Sequence, residues 1–199
     1  MPERWNANLH AFGLLLDRLP PGLQRGLDVG CGEGETARRL RVRVAEVVGI
    51  DTDEPSIEAA RAAGGDVEYQ VADLLDSGLP EASFDVVTAV AVLHHLDHRA
   101  GLEQLRRLLR PGGLLLVVGF ARSRSVGDLA RDAVDSIAIR RHTFTRPVWH
   151  TPAPKLWPPS ISYGEARTVA LDVLPGARFE RLPYLRYGLT WTRPDDDNP

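Results

Sequence analysis

At 199 residues the chain has the length of one domain and can bury a core without disulfide or metal staples. Its single cysteine excludes a disulfide framework, no apolar run approaches the roughly 20 residues of a membrane span, and the N-terminus has no secretory apolar stretch, so a cytoplasmic location is expected. A formal charge of −3 argues against a general nucleic-acid binder, which is ordinarily basic. From the N-terminus, Arg4 to Leu19 sets Leu9, Phe12, Leu16 and Leu19 on one face of an amphipathic helix that ends before Pro20-Pro21-Gly22. Gly26-Leu27-Asp28-Val29 reads as a buried strand and runs into a loop with glycines at 30, 32 and 34, which free the backbone to turn sharply and press against a ligand. Thr36, Ala37 and Leu40 then open a helix, so the loop lies at the carboxyl end of a strand, where α/β sheets bind ligands. A dinucleotide fingerprint asks for glycine where the chain has Glu35, which disfavours a phosphate-cradling loop.

Glu46 to Asp51 is a second apolar strand, ending in a carboxylate 23 residues after Asp28. Ionised aspartate only accepts hydrogen bonds, which suits the paired hydroxyls of a ribose. Asp53, ahead of Pro55, suits a helix cap. Val67 to Asp73 is a third strand ending in acid and Phe84 to Val90 a fourth, while Leu109-Arg-Pro-Gly-Gly reads as a turn into the strand Leu114 to Phe120. Helical patterns fill Ser56 to Ala63 and Gly101 to Arg110, and strict alternation of strand and helix means a parallel sheet with helices on both faces. Ser125 to Arg141 reads as another amphipathic helix, with Val126, Leu129, Ala133 and Ile137 along its stripe. Six arginines against three aspartates over 121–146 fit a solvated face better than an anionic-substrate site.

Phe144 to Ser160 holds five prolines with Trp149, His150 and Trp157, and the prolines exclude a regular helix or central strand. Loops this long are usually functional or disordered, and the tryptophans favour an ordered substrate lid or a dimer contact. Ser162-Tyr-Gly-Glu165 looks like a capping box opening a helix through Leu174, and Arg178 to Tyr184 and Tyr187 to Thr192 form a last pair of strands. The acidic tail is expected to fray.

Asp-x-Gly-x-Gly-x-Gly at 28–34 resembles the first motif of the class I S-adenosylmethionine-dependent methyltransferases. The match continues in order through Asp51, Asp73, Val92-Leu-His-His-Leu96 and Leu109-Arg-Pro-Gly-Gly113, covering residues 25–120. This resemblance implies a doubly wound, Rossmann-like α/β fold with a mostly parallel seven-stranded sheet, last strand antiparallel. It implies S-adenosyl-L-methionine as cofactor, S-adenosyl-L-homocysteine as product, and methyl transfer to an oxygen, nitrogen or carbon of a small-molecule acceptor. By position it implies that Asp28, Gly30 and Gly32 wrap the methionine part, that Asp51 holds the ribose and that Asp73 with Leu74 contacts the adenine. Cys31, Thr52 and Val90 complete the cofactor-binding set, Cys31 as a small packing filler rather than a nucleophile. The chain then divides, within one domain of residues 1–199, into an N-terminal helix over the cleft (1–24), a cofactor core (25–120), a helix and Pro/Trp-rich lid (121–161), the last helix and strand pair (162–193) and the tail (194–199).

A sulfonium methyl is already activated, so the protein's main task is alignment, with a base helping a hydroxyl nucleophile. His94 and His95, just after the fourth strand, are the candidates for that base, against the alternative that they pack or bond to backbone. His94 and His98 sit four apart, but without a glutamate partner they are not read as a metal site. Trp5 and His10 on the leading helix, with Asn8, and Trp149, His150 and Trp157 in the lid, are the candidate acceptor contacts, unless the helix merely packs on the sheet. The absence of an Asn-Pro-Pro-Tyr tetrapeptide after the fourth strand disfavours methylation of bases or glutamine, and no nucleic-acid or membrane partner is expected. A monomer and a homodimer both remain open. So do two other functions: a nucleotide-dependent oxidoreductase or epimerase, against which Glu35 and the lack of a Tyr-x-x-x-Lys pair count, and a non-catalytic module that binds S-adenosylmethionine.

Overall fold

The computed structural model describes residues 5–124, 126–145 and 159–195. The first helix, α1 (Ala7–Leu16), is capped by Asn6, whose side chain accepts the Leu9 N–H at 2.8 Å, and its apolar face buries Leu9, Phe12 and Leu16. It is shorter than the expected span of 4–19 because the cap starts it at residue 7 and a looser turn carries the chain from Asp17 into Pro20-Pro21. Strand and helix then alternate: β1 (Leu23–Val29), α2 (Glu35–Arg41), β2 (Val44–Asp51), α3 (Glu54–Ala63), β3 (Glu68–Val71), β4 (Phe84–Val90), α4 (His98–Leu108), β5 (Leu109–Gly119), α5 (Val126–Thr145), α6 (Tyr163–Val173), β6 (Arg178–Leu182) and β7 (Arg186–Thr192). The strands make one sheet in the order β3-β2-β1-β4-β5-β7-β6, parallel from β3 to β5, with β7 antiparallel to both its neighbours. This is the doubly wound α/β fold that the motif order implied.

Parallel strands bury both faces, and alternate residues of β4 separate the two cores. Val87 and Ala89 cluster with Leu102 and Leu105 of α4 and Ala166 and Ala170 of α6, whereas Val86 clusters with Phe12 of α1, Leu40 of α2 and Ile57 of α3. From β1 the chain builds outward through β2 and β3 on one side and through β4 and β5 on the other. That reversal opens a crevice at the carboxyl ends of β1 and β4, the place where such sheets bind ligands.

Three further elements depart from the sequence reading. Leu109 to Gly113 is the start of β5 rather than a turn: Leu109 pairs with Phe84, the register then shifts, and Leu114 pairs with Val86, so a bulge absorbs Pro111 and Gly112. α4 starts at His98, ahead of the expected Gly101, because Asp97 caps it by accepting the Ala100 N–H at 2.9 Å. α5 runs to Thr145, past Arg141, and its expected apolar stripe does not pack: Val126, Leu129 and Ile137 are 85%, 58% and 65% exposed. The helix docks through its acidic residues instead. Arg181 of β6 donates to Asp128 at 3.0 Å and to Asp132 at 2.8 Å, and the Leu185 N–H donates to Asp135 at 3.0 Å. α6 begins as expected, with Ser162 and Glu165 forming a reciprocal capping box. No helix among the described residues is long and apolar enough to cross a membrane.

Candidate functional site

Where β1 ends, the Cys31 N–H donates to the Ile50 carbonyl at 3.0 Å and ties the glycine loop to β2. Two of its glycines are there for different reasons. A Cβ on Gly30 (φ 65°) would lie 2.2 Å from Val92 Cγ2, so this position needs the close approach as well as the left-handed backbone. A Cβ on Gly32 (φ 51°) would meet nothing within 4 Å, since it would project into open space in front of the loop. The Gly32 N–H donates to Asp51 Oδ2 at 2.8 Å and the Asp53 N–H to Asp51 Oδ1 at 3.0 Å, so two backbone donors orient the carboxylate at the end of β2 while each oxygen keeps a free lone pair. Asp53 itself caps α3, accepting the Ser56 N–H at 3.0 Å.

These groups face a cavity of about 640 Å³, within the range of small-molecule sites. Gly30, Cys31, Gly32, Asp51, Thr52, Asp73, Leu74 and Val90 all line it, so eight of the nine positions assigned to the cofactor converge on one space. Asp73 uses Oδ1 to accept the Leu75 N–H at 2.8 Å and so also caps the short turn Leu74–Asp76.

The ninth, Asp28, is a correction. It is fully buried and absent from the cavity wall, because its carboxylate turns inward between two hydroxyls: Thr88 donates to it at 2.7 Å, and Thr36, at the start of α2, donates to its other oxygen. Burial pushes its pKa up to about 6, and the two hydroxyls hold that rise in check. Its place is to brace the loop's two ends. Cys31 is buried in the loop, and burial, with Asp28 and Asp51 nearby, pushes its thiol well above the usual range, which leaves it inert packing.

The two histidines separate as well. His95 is exposed and lines the cavity, whereas His94 is half-buried behind it, its ring 4.0 Å from that of His95 and edge-on to Phe120 at 5.1 Å. Burial, then the neighbouring His95, His98 and Arg186, lower the His94 pKa to about 4, so this imidazole is neutral at physiological pH. Its Nδ1 is buried without a hydrogen-bond partner among the described residues. His98 faces elsewhere, with Nε2 3.0 Å from the Tyr187 hydroxyl.

Trp5 and His10 do not line this cavity; both pack edge-on against Tyr184, at 5.7 and 5.2 Å. Asn8 and Leu9 of the same helix do line it, so α1 covers the cleft through different residues. Trp149, His150 and Trp157 lie outside the described residues. The sequence reading missed Ala91, which lines the cavity at φ 61°, and Asn6 beside it. Nothing in the sequence signals the first, since alanine rarely adopts that conformation, whereas an asparagine just before an apolar helical stripe is a recognisable cap.

A glycine loop after the first strand, an acid after the second and a crevice at the reversal of strand order define a class I S-adenosylmethionine-binding fold. The methyltransferase-domain family matches residues 27–117. An uncharacterized methyltransferase of Mycobacterium tuberculosis is 38% identical over 197 residues, covering 98% of this chain and all of the relative. The 27-O-demethylrifamycin SV methyltransferase of Amycolatopsis mediterranei is 36% identical over 159 residues, which is 67% of this chain and 58% of that one. Among solved structures, a phosphoethanolamine N-methyltransferase of Haemonchus contortus, determined with S-adenosylhomocysteine, shares the fold at a TM-score of 0.60 and 20% identity, over 88% of this chain and 38% of that one. The chain belongs to the S-adenosylmethionine-dependent methyltransferases, and its cofactor is S-adenosylmethionine. This removes the oxidoreductase and epimerase alternative.

The residues present fit that cofactor. The open space in front of Gly32 leaves room for a chain that a side chain there would obstruct, and the Asp51 carboxylate, held by two N–H groups, keeps acceptor capacity for two hydroxyls.

Proposed function

We propose that the protein transfers the methyl group to an oxygen, nitrogen or carbon of a small-molecule acceptor that reaches the cavity from the His95 side. The observation that carries this reading is the continuity of one cavity wall from the ribose-binding geometry at Asp51, past Val90 and Val92, to His95 and Leu96. When bound, S-adenosylmethionine supplies a methyl on a positively charged sulfur, and the acceptor's lone pair forms the new bond to carbon as the S–C pair returns to sulfur. Gly32 and Asp51 hold the cofactor's methionine and ribose parts, and Asp73 with Leu74 takes the adenine. With these ends fixed, alignment of the nucleophile behind the methyl accounts for about 7 to 11 kcal/mol of barrier lowering. His95, on the wall, takes the proton of a hydroxyl acceptor, and His94 holds the His95 ring from behind without adding a positive charge beside a sulfonium. The name of the Amycolatopsis relative, whose acceptor is a small molecule methylated on oxygen, supports the same class.

The experiment is release of S-adenosylhomocysteine from S-adenosylmethionine with a panel of phenols, carboxylic acids and amines, by wild type and His95→Ala. Turnover with at least one acceptor, lowered about 100-fold or more in the variant at unchanged cofactor affinity, is expected. Equal turnover in the two proteins removes the base from the mechanism and leaves alignment alone.

A further inference from the structure

Arg186 opens β7 at the same sheet edge as the cavity, since its neighbour Tyr187 pairs with Gly119 at the end of β5. Its guanidinium lies 4.0 Å from the centre of the Phe120 ring, the ring that His94 meets edge-on. Nε donates to Asn8 Oδ1 at 2.7 Å, and Asn8 lines the cavity, so the cation sits one side chain behind the wall. Nη1 donates to the Tyr184 carbonyl at 2.5 Å. Nη2 has no hydrogen bond, and no carboxylate forms an ion pair with this side chain, among the described residues.

Arg181, on the preceding strand, shows the contrast: each of its terminal nitrogens meets an aspartate of α5. The groups that favour the Arg186 cation are Tyr163 and Asp135, and both are committed to the turn before it. Asp135 accepts the Leu185 N–H at 3.0 Å and the Tyr163 hydroxyl donates to the Leu185 carbonyl at 3.1 Å. That turn carries Tyr184 and Leu185 both in the left-handed region, at φ 65° and 63°, where hairpins ordinarily place Asn or Gly. An unfavourable backbone is thus held from α5 and α6 in a shape that points a guanidinium, without an ion-pair partner among the described residues, along an aromatic ring. Leaving such a cation half-buried is unfavourable unless a ligand completes it.

We propose that Arg186 anchors a carboxylate of the acceptor, so that this methyltransferase takes acidic small molecules. The proposal rests on the methyl-transfer reading above. Arg186 is itself absent from the wall of the cofactor cavity, so the anion it receives is a group remote from the atom being methylated. A group that is ionised at neutral pH without any activation is a carboxylate rather than a phenol. One guanidinium balances a single negative charge, which fits a carboxylate better than a doubly charged phosphate. Phe120, against which the guanidinium lies, gives the acceptor an aromatic surface next to the anchor.

The test is calorimetric titration of the protein saturated with S-adenosylhomocysteine, using para-hydroxybenzoate, para-hydroxycinnamate and adipate, each beside its primary carboxamide. At least one acid should bind about 10-fold or more tightly than its amide, and Arg186→Gln should abolish that preference while S-adenosylhomocysteine still binds. Equal binding of every acid and amide, no binding of any acid, or a preference that survives in the variant would each overturn the proposal. Should Arg186→Gln not fold, a crystal structure of the wild-type complex with the preferred acid decides: a carboxylate on Nη2 supports the anchor, and one elsewhere overturns it. Failure of the wild type to bind S-adenosylhomocysteine would instead defeat the methyl-transfer reading on which the proposal stands.

Discussion

Asp28 and Asp51 end or nearly end two neighbouring strands and yet do opposite things. Asp51 faces the cavity with both oxygens oriented by backbone N–H groups, whereas Asp28 is sealed between Thr36 and Thr88. The buried carboxyl has a testable consequence. Its folded pKa of about 6 lies above the ordinary 3.8, so the fold favours the protonated form; that stability is fully present below about pH 3.8 and is lost as the pH rises through 6. Asp28→Asn lacks this loss, so its stability relative to wild type should rise by up to about 3 kcal/mol between pH 4 and pH 7. Urea unfolding at the two pH values measures it, and a difference that does not change with pH would mean that Asp28 is not held near neutrality. His94 works in the other direction, with a pKa lowered to about 4, so its neutral form favours the fold at and above pH 6.5 and that contribution is lost on acidification through 4.

At the level of elements, α5 shows how a correct secondary-structure reading gave the wrong face. Its apolar stripe was legible and stays exposed, while Asp128, Asp132 and Asp135, spaced to share one side of the helix, meet Arg181 and the β6–β7 turn. Hydrophobic periodicity cannot anticipate this, because the choice depends on an arginine some 50 positions away in sequence. Arg181→Ala should therefore cost about 1 to 3 kcal/mol in urea unfolding, by removing the guanidinium that ties two partly buried carboxylates of α5 to β6. An unchanged stability would show that α5 is held by other contacts. By contrast, the glycine loop, Asp51 and Asp73 were readable from sequence because each is a short local pattern placed at a strand end. The convergence of Asn8 and Arg186, which are 178 positions apart, was not. It exists only because β7 inserts antiparallel beside β5 and brings the C-terminal part of the chain against α1.

On the scale of the whole molecule, strand order does the positioning. The reversal between β1 and β4 gathers the loop after β1, the acids after β2 and β3 and His95 after β4 around one cavity, and the insertion of β7 brings a cation behind Asn8 of its wall. Under the proposed function, the cofactor contacts fall in one half of the sheet and the acceptor contacts in the other half, with α1. The measurement that bears most directly on this arrangement is calorimetric titration of S-adenosylhomocysteine into wild type and Asp51→Ala, with Asp51→Asn as the variant that keeps an acceptor for the loop N–H groups. Wild type should bind, Asp51→Ala should bind more weakly by about 1 to 3 kcal/mol, and Asp51→Asn should fall between them. Equal affinity in all three proteins would contradict the placement of the cofactor in this cavity.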